Sequence, residues 1–140
     1  MDLGITGKRA VVAASTSGLG LATAVALADA GCTVVVNGRT EERLAAAVPK
    51  AAGSIPIAGD LSTREGAETF IDAAAEALGG IDILITNAGG PPPGNFAQTD
   101  ITAYAAALEM NLVSMAAMCK KVVPGMQAQH WGRIVAITST

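Results

Sequence analysis

Short runs of apolar, largely β-branched residues alternate along the chain with longer, alanine-rich stretches. Strands are expected over residues 10–14, 33–37, 55–58, 81–86 and 133–138. Most of these runs are apolar at consecutive positions, which suits parallel strands buried on both faces; the run with Pro56 is the weakest. Helical patterns fall at about 19–30, 41–52, 63–78 and 101–128. Thr40 suits the N-cap of the second, with Glu41 and Glu42 in its first turn, and the third starts after Ser62 or Thr63 with Glu65 early. In the fourth, Tyr104, Leu108, Leu112, Met115, Cys119, Val122 and Met126 recur at helical spacing and read as a buried stripe. Pro124 and Gly125 should kink or end it late. The β-α-β-α alternation predicts an α/β fold, an open doubly wound sheet with right-handed crossovers. No linker or repeat interrupts residues 1–140.

Composition narrows the function. Hydrophobic residues make up 51% and charged residues 15%, which excludes intrinsic disorder. A net charge of −3 with one Trp, one Tyr and two Phe argues against a nucleic-acid partner. Cys32 and Cys119 do not make a disulfide scaffold and lack activating cations. The single histidine, His130, offers no basis for a metal site. Apolar runs are broken by Gly, Pro or charge, so no membrane span is expected. Residues 1–4 do not open a signal peptide, and a cytoplasmic location is the expectation.

Candidate chemistry begins where the first strand meets the first helix, at Ala14, Ser15, Thr16, Ser17, Gly18, Leu19 and Gly20. A strand-to-helix loop presents unpaired N–H groups and a positive dipole end, suited to the pyrophosphate of a dinucleotide. Gly18 and Gly20 allow close backbone approach, and the hydroxyls at 15–17 add donors. Thr23 breaks the full G-x-G-x-x-G fingerprint, and a tight turn without a ligand is the alternative. At the end of the second strand stand Asn37, Gly38 and Arg39, with no carboxylate for an adenosine ribose. Arg39 offers a donor fork for a phosphate, or can pair with Glu41 or Glu42. Asp60, before Leu61, can cap the helix that follows. Asn87, Ala88 and Gly89 end the fourth strand at the edge where open α/β sheets bind ligands, or form a simple turn. The segment from Gly90 to Gly94 holds three prolines and is expected as a stiff loop over the cleft, or as a docking segment for a partner. Asn111 on an apolar stripe requires hydrogen-bond partners.

These motifs resemble those of the short-chain dehydrogenase/reductases, in family order and spacing over all 140 residues. The turn is similar to T-G-x-x-x-G-I/L-G, with Ala13 and Ala14 where Thr and the first Gly usually stand. Asp60–Leu61 follows, then Asn87-Ala88-Gly89, with Thr86 replacing the first Asn of N-N-A-G. Met110-Asn111-Leu112 and the run from Gly132 to Val135 that leads to Ser139 complete the series. Within the family the pattern looks like the 3-oxoacyl-(acyl-carrier-protein) reductases.

The resemblance implies a Rossmann-type, three-layer α/β/α fold whose C-terminal strands and helices lie outside this chain. It implies NADP(H), in preference to NAD(H), held by residues 15–20, 37–39, 60–61 and 87–89, with Asp60 and Leu61 on the adenine. Hydride would pass between NADP(H) and a ketone or secondary alcohol, including a 3-oxoacyl thioester. Ser139 would hold the carbonyl and Asn111 a water of the proton relay. A homo-oligomer, dimer or tetramer, through residues 101–128 is also expected. The family's Tyr-x-x-x-Lys acid is missing: Tyr104 is the only tyrosine, and Leu108 stands where Lys would be. The chain therefore reads as the N-terminal part of an oxidoreductase, unable to reduce a carbonyl unaided. The alternative is a non-catalytic nucleotide-binding or interaction module, for which Ala14 and Thr86 would mark divergence.

Overall fold

Five strands form one parallel sheet in the computed structural model, which describes residues 2–90 and 93–138. They are β1 (Arg9–Val12), β2 (Thr33–Gly38), β3 (Ile55–Ala58), β4 (Ile83–Thr86) and β5 (Arg133–Ala136). The order across the sheet is β3-β2-β1-β4-β5. Val11 pairs with Val35 on one side and with Leu84 on the other. The helices are α1 (Gly18–Asp29), α2 (Glu41–Ala47), α3 (Arg64–Leu78), α4 (Ile101–Leu108) and α5 (Ser114–Ala128). This is the doubly wound, Rossmann-type α/β architecture. Local chemistry sets the helix limits. Thr40 accepts from the Arg43 N–H and Thr63 from the Gly66 N–H, while Gly79 closes α3 in the left-handed region. α2 stops well short of residue 52, in keeping with Pro49, which lacks an N–H to continue the ladder.

Helices cover both sheet faces, giving three layers. Val11, Ala13, Val35 and Leu84 pack with Phe70 and Ile71 of α3 and Met118, Val122 and Met126 of α5. Ala10, Val12, Val34, Val36, Ile83 and Ile85 pack on the opposite face with Ala24 of α1 and Leu44 of α2. At the amino ends of the strands lies a polar clasp. Arg9 donates to both Asp82 carboxylate oxygens, at 2.9 and 2.7 Å, and to the Gly79 carbonyl at 2.6 Å. Gln129, just beyond α5, donates to Asp82 at 2.9 Å and accepts from Arg9 at 2.9 Å.

The segment from Ile101 to Ala128 departs from expectation. It is one continuous helical rod, but a π-helical turn at Glu109–Val113 separates α4 from α5. The expected stripe is buried only in α5. Tyr104, Leu108 and Leu112 are 39%, 57% and 60% exposed, because the π turn shifts the helical phase and, among the described residues, no layer packs on α4. By length and composition alone the rod could cross a membrane. Its α5 half instead packs on α3, with Met118, Val122 and Met126 buried. β5 stands at the edge of the sheet. It has one neighbour, β4, and Ile134 and Val135 are 39% and 52% exposed.

The clasp makes stability depend on acid. Arg9's hydrogen bonds outweigh burial and hold the Asp82 carboxyl at about 2, below its ordinary value near 3.9. A depressed carboxylate stabilises the fold above its unfolded pKa and ceases to as pH falls through the folded value. Urea unfolding should therefore lose about 2 kcal/mol between roughly pH 5 and pH 2 from this group. Asp82→Asn should be less stable at pH 7 and flatter over that range; parallel pH profiles for the two proteins would contradict this.

Candidate functional site

The strand order reverses at β1, whose two neighbours are β2 and β4. Crossovers leave this point in opposite directions, so a crevice opens at the carboxyl ends of the strands. A cavity of about 440 Å³ fills it, within the range of small-molecule sites. Its walls come from the β1–α1 turn, the end of β2, the β3–α3 turn and the segment after β4. Met110, in the π-helical turn, closes one side.

The β1–α1 turn is the most constrained part. Ala14 has φ +46, a left-handed conformation that costs an L-residue about 1–2 kcal/mol. Its N–H donates to Asn37 Oδ1 at 3.1 Å, and its carbonyl accepts from Asn87 Nδ2 at 3.2 Å. That turn of the backbone is why β1 ends at Val12 rather than at residue 14. Ser15 is fully buried: its hydroxyl donates to the Val12 carbonyl at 2.7 Å and accepts from the Asn37 N–H at 2.8 Å. The expectation of Ser15 as a phosphate donor is corrected accordingly, since its hydroxyl is held inside the turn. Thr16, Ser17 and Leu19 do line the cavity. Ser17, the N-cap of α1, makes no side-chain cap bond, and no acidic residue stands in the first turn. Gly18 sits at φ +54. A Cβ on Gly20 would collide with the Ala14 carbonyl oxygen.

Around the rim, Gly38, Arg39, Asp60, Leu61, Asn87, Ala88 and Gly89 meet as anticipated. Asn37 also reaches the cavity, with its side chain turned into the wall. It is 2% exposed, and its Nδ2 donates to the Ile57 and Gly59 carbonyls at 3.3 and 3.2 Å. Among the described residues no ion pair joins Arg39 to Glu41 or Glu42. Asp60 accepts from the Ser62 N–H at 3.0 Å. That bond, helped by Arg39, lowers its pKa from the ordinary carboxylate value. α3 takes Thr63, not Asp60, as its N-cap. Gly90, from the segment expected over the cleft, lines the cavity, as do Arg43, Gly59, Ser62 and Met110, which were not anticipated.

Asn111 lies in the π-helical turn, exposed rather than on a buried stripe, and donates to the Ala107 carbonyl at 2.9 Å. Such turns leave backbone carbonyls without their usual partners and concentrate at functional sites. Neighbouring Glu109 accepts from the Arg64 N–H at 2.8 Å, tying this turn to the start of α3. Ser139 lies outside the described residues, as do Pro91 and Pro92 of the expected stiff loop; Pro93 and Gly94 are exposed. Among the described residues no three His, Cys, Asp or Glu side chains gather as metal ligands.

A family model described as short chain dehydrogenase matches residues 8–140. The chain belongs to the short-chain dehydrogenase family. It is 34% identical over 140 residues to D-beta-hydroxybutyrate dehydrogenase of Cupriavidus necator, covering 97% of this chain and 54% of that protein. It is 31% identical over 144 residues to a 3-oxoacyl-(acyl-carrier-protein) reductase of Aquifex aeolicus, covering 99% and 58%. L-sorbose reductase from Gluconobacter frateurii, solved with NADPH and L-sorbose, superposes with a TM-score of 0.89 at 30% identity, covering 97% and 54%. The actinorhodin polyketide ketoreductase, solved with NADPH, gives 0.86 at 30% identity, covering 95% and 53%. The chain thus spans about half the length of the curated relatives it matches.

The short-chain dehydrogenase turn fits a dinucleotide here. An uncapped α1 start free of carboxylates faces the cavity, and the glycines beside it differ in purpose. Gly20→Ala should lower stability by about 1–3 kcal/mol, because its Cβ meets backbone. Gly89→Ala, whose Cβ would meet nothing within 4 Å, should leave the melting temperature nearly unchanged. Thermal unfolding of the two variants distinguishes these roles, and equal losses would refute the assignment.

Proposed function

We propose that this chain is the cofactor-binding part of an NADP(H)-dependent short-chain dehydrogenase acting between a ketone and a secondary alcohol. The reading rests on one arrangement. A single cavity joins the α1 amino end to Arg39 and Arg43, with no carboxylate among residues 37–39 at the end of β2.

Each wall then has a task. Backbone N–H groups at the start of α1, with Thr16 and Ser17, hold the pyrophosphate. Arg39 grips the 2′-phosphate, which a carboxylate at this position would repel. Asp60 and Leu61 face the adenine, and Ala88 and Gly89 let the chain pass closely along the cofactor. The bound nicotinamide supplies or accepts the hydride. Ser139 holds the substrate carbonyl, and Asn111 holds a water that relays the proton. Support for carbonyl substrates comes from the reductase and dehydrogenase relatives; the 3-oxoacyl thioester rests on the Aquifex protein alone. A cytoplasmic homo-oligomer that uses residues 101–128 belongs to the same reading, supported by the exposed Tyr104, Leu108 and Leu112.

A second reading, a nucleotide-binding or interaction module without catalysis, is favoured by Ala14 and Thr86, which stand where the family pattern has Gly and Asn. As a cofactor-binding part or as a nucleotide-binding module, the 140-residue chain binds NADPH without turning over a ketone. A longer natural product carrying Tyr-x-x-x-Lys, with ketone reductase activity, would decide for the enzyme. An authentic 13.9 kDa product without turnover would decide for the module. Arg39→Ala should weaken NADPH by about 10–100-fold, the value of a charge-assisted phosphate contact, and leave NADH unchanged. Calorimetric titration reads both. An equal loss for NADH would overturn the choice of NADP(H), and no binding of either nucleotide would overturn the cofactor-binding reading and decide for an interaction module.

A further inference from the structure

Among the described residues two that are not glycine hold a positive φ, Ala14 at +46 and His130 at +54. His130 is exposed in the turn after α5. Ala14 is different, because it stands at the mouth of the cavity and both of its backbone polar groups are held by side-chain amides. One amide comes from each strand flanking β1: Asn37 lies on β2, and Asn87 follows β4 directly.

The Asn37 amide has one orientation available. Its Nδ2 is taken by the carbonyls of Ile57 and Gly59, so its Oδ1 must face the Ala14 N–H. Asn87 Nδ2 donates to the Ala14 carbonyl from the other side. That carbonyl lies against Gly20, where no Cβ could be accommodated. Released from the two amides, residue 14 would return to negative φ. The Ala14 carbonyl would then turn about the Ser15 N–H, which stays on the Asn37 main-chain carbonyl at 2.9 Å, and Thr16 and Ser17 would be drawn from the cavity.

We propose that Asn37 and Asn87 are positioning residues, a pair of amide clamps that hold Ala14 left-handed and so keep the β1–α1 turn in its anion-binding shape. The proposal rests on the nucleotide-binding reading for its ligand, and on hydrogen-bond geometry for the clamp. Its mark is coupling to the identity of residue 14. Glycine adopts positive φ without the Cβ penalty, so Ala14→Gly should make the clamp largely dispensable.

The test is a double-mutant cycle on the full chain, with Asn87→Ala and the isosteric Asn87→Asp, each alone and combined with Ala14→Gly. Titrations use NADPH and NADH, which carry the pyrophosphate, and 2′-AMP, which lacks it. Either Asn87 variant should weaken NADPH and NADH alike by about tenfold, the affinity equivalent of one left-handed residue's strain. With Ala14→Gly the loss should shrink to about threefold or less, and 2′-AMP should hold its affinity throughout. Equal losses in both backgrounds, or a matching fall for 2′-AMP, would overturn the clamp. Amide hydrogen exchange at position 14 reads the clamp without ligand. Exchange should accelerate about tenfold in Asn87→Ala and much less when Ala14→Gly is added. Should wild-type protein bind no dinucleotide, the nucleotide reading fails while exchange still judges the clamp; unchanged exchange would overturn it.

Discussion

The burial of β1 from Ala10 to Val12 is the constraint on which the rest depends. Ala10, Val11 and Val12 have no measurable exposure, being walled by β2 and β4 in the sheet and by helices above and below. A parallel strand enclosed on all four sides has backbone partners for every group until it leaves the sheet. The start of the turn that follows must therefore reorganise its hydrogen bonds inside the protein, at the buried Ser15. Ser15 and Asn37 do this by bonding inward, to Val12 and to each other. The cavity is the other product of the same constraint, because the chain winds away from β1 in both directions and leaves the ends of β2 and β4 apart.

Two kinds of polar residue surround that cavity, and they divide the work. Ser15, Asn37 and Asn87 are bonded to backbone and define the wall. Thr16, Ser17, Arg39, Arg43 and one face of Asp60 are left toward the space it encloses. Both kinds are small or flexible polar side chains near glycines, so composition does not separate them. Only the bonding pattern does.

Legibility followed the range of the interactions. Consecutive Val and Ile residues announced β1, β2 and β4, and Thr40 and Thr63 marked helix starts, because those signals are local. The glycine turn, the Asp60–Leu61 pair and Asn87 to Gly89 were readable because a sheet edge collects whatever ends its strands. Ser15 was misread: a hydroxyl directed outward and one turned back three residues to Val12 have the same sequence. The clasp of Arg9, Asp82 and Gln129 joins residues 73 and 47 positions apart, and nothing local foretells it. Burial of Tyr104, Leu108 and Leu112 was overestimated for a related reason. Periodicity tells which residues share a face, not whether another layer meets that face.

The π-helical turn at Glu109–Val113 carries a consequence for how this segment can vary. One surplus residue in a helical turn rotates everything before it by about 100° relative to everything after it. Ile101, Tyr104 and Leu108 therefore keep an angular setting separate from that of Met118, Val122 and Met126, although backbone continuity hides the break. The rod behaves as two helices with a fixed dihedral between them. Side chains can be exchanged on either half independently, whereas losing a single residue from the junction would re-aim the whole of α4.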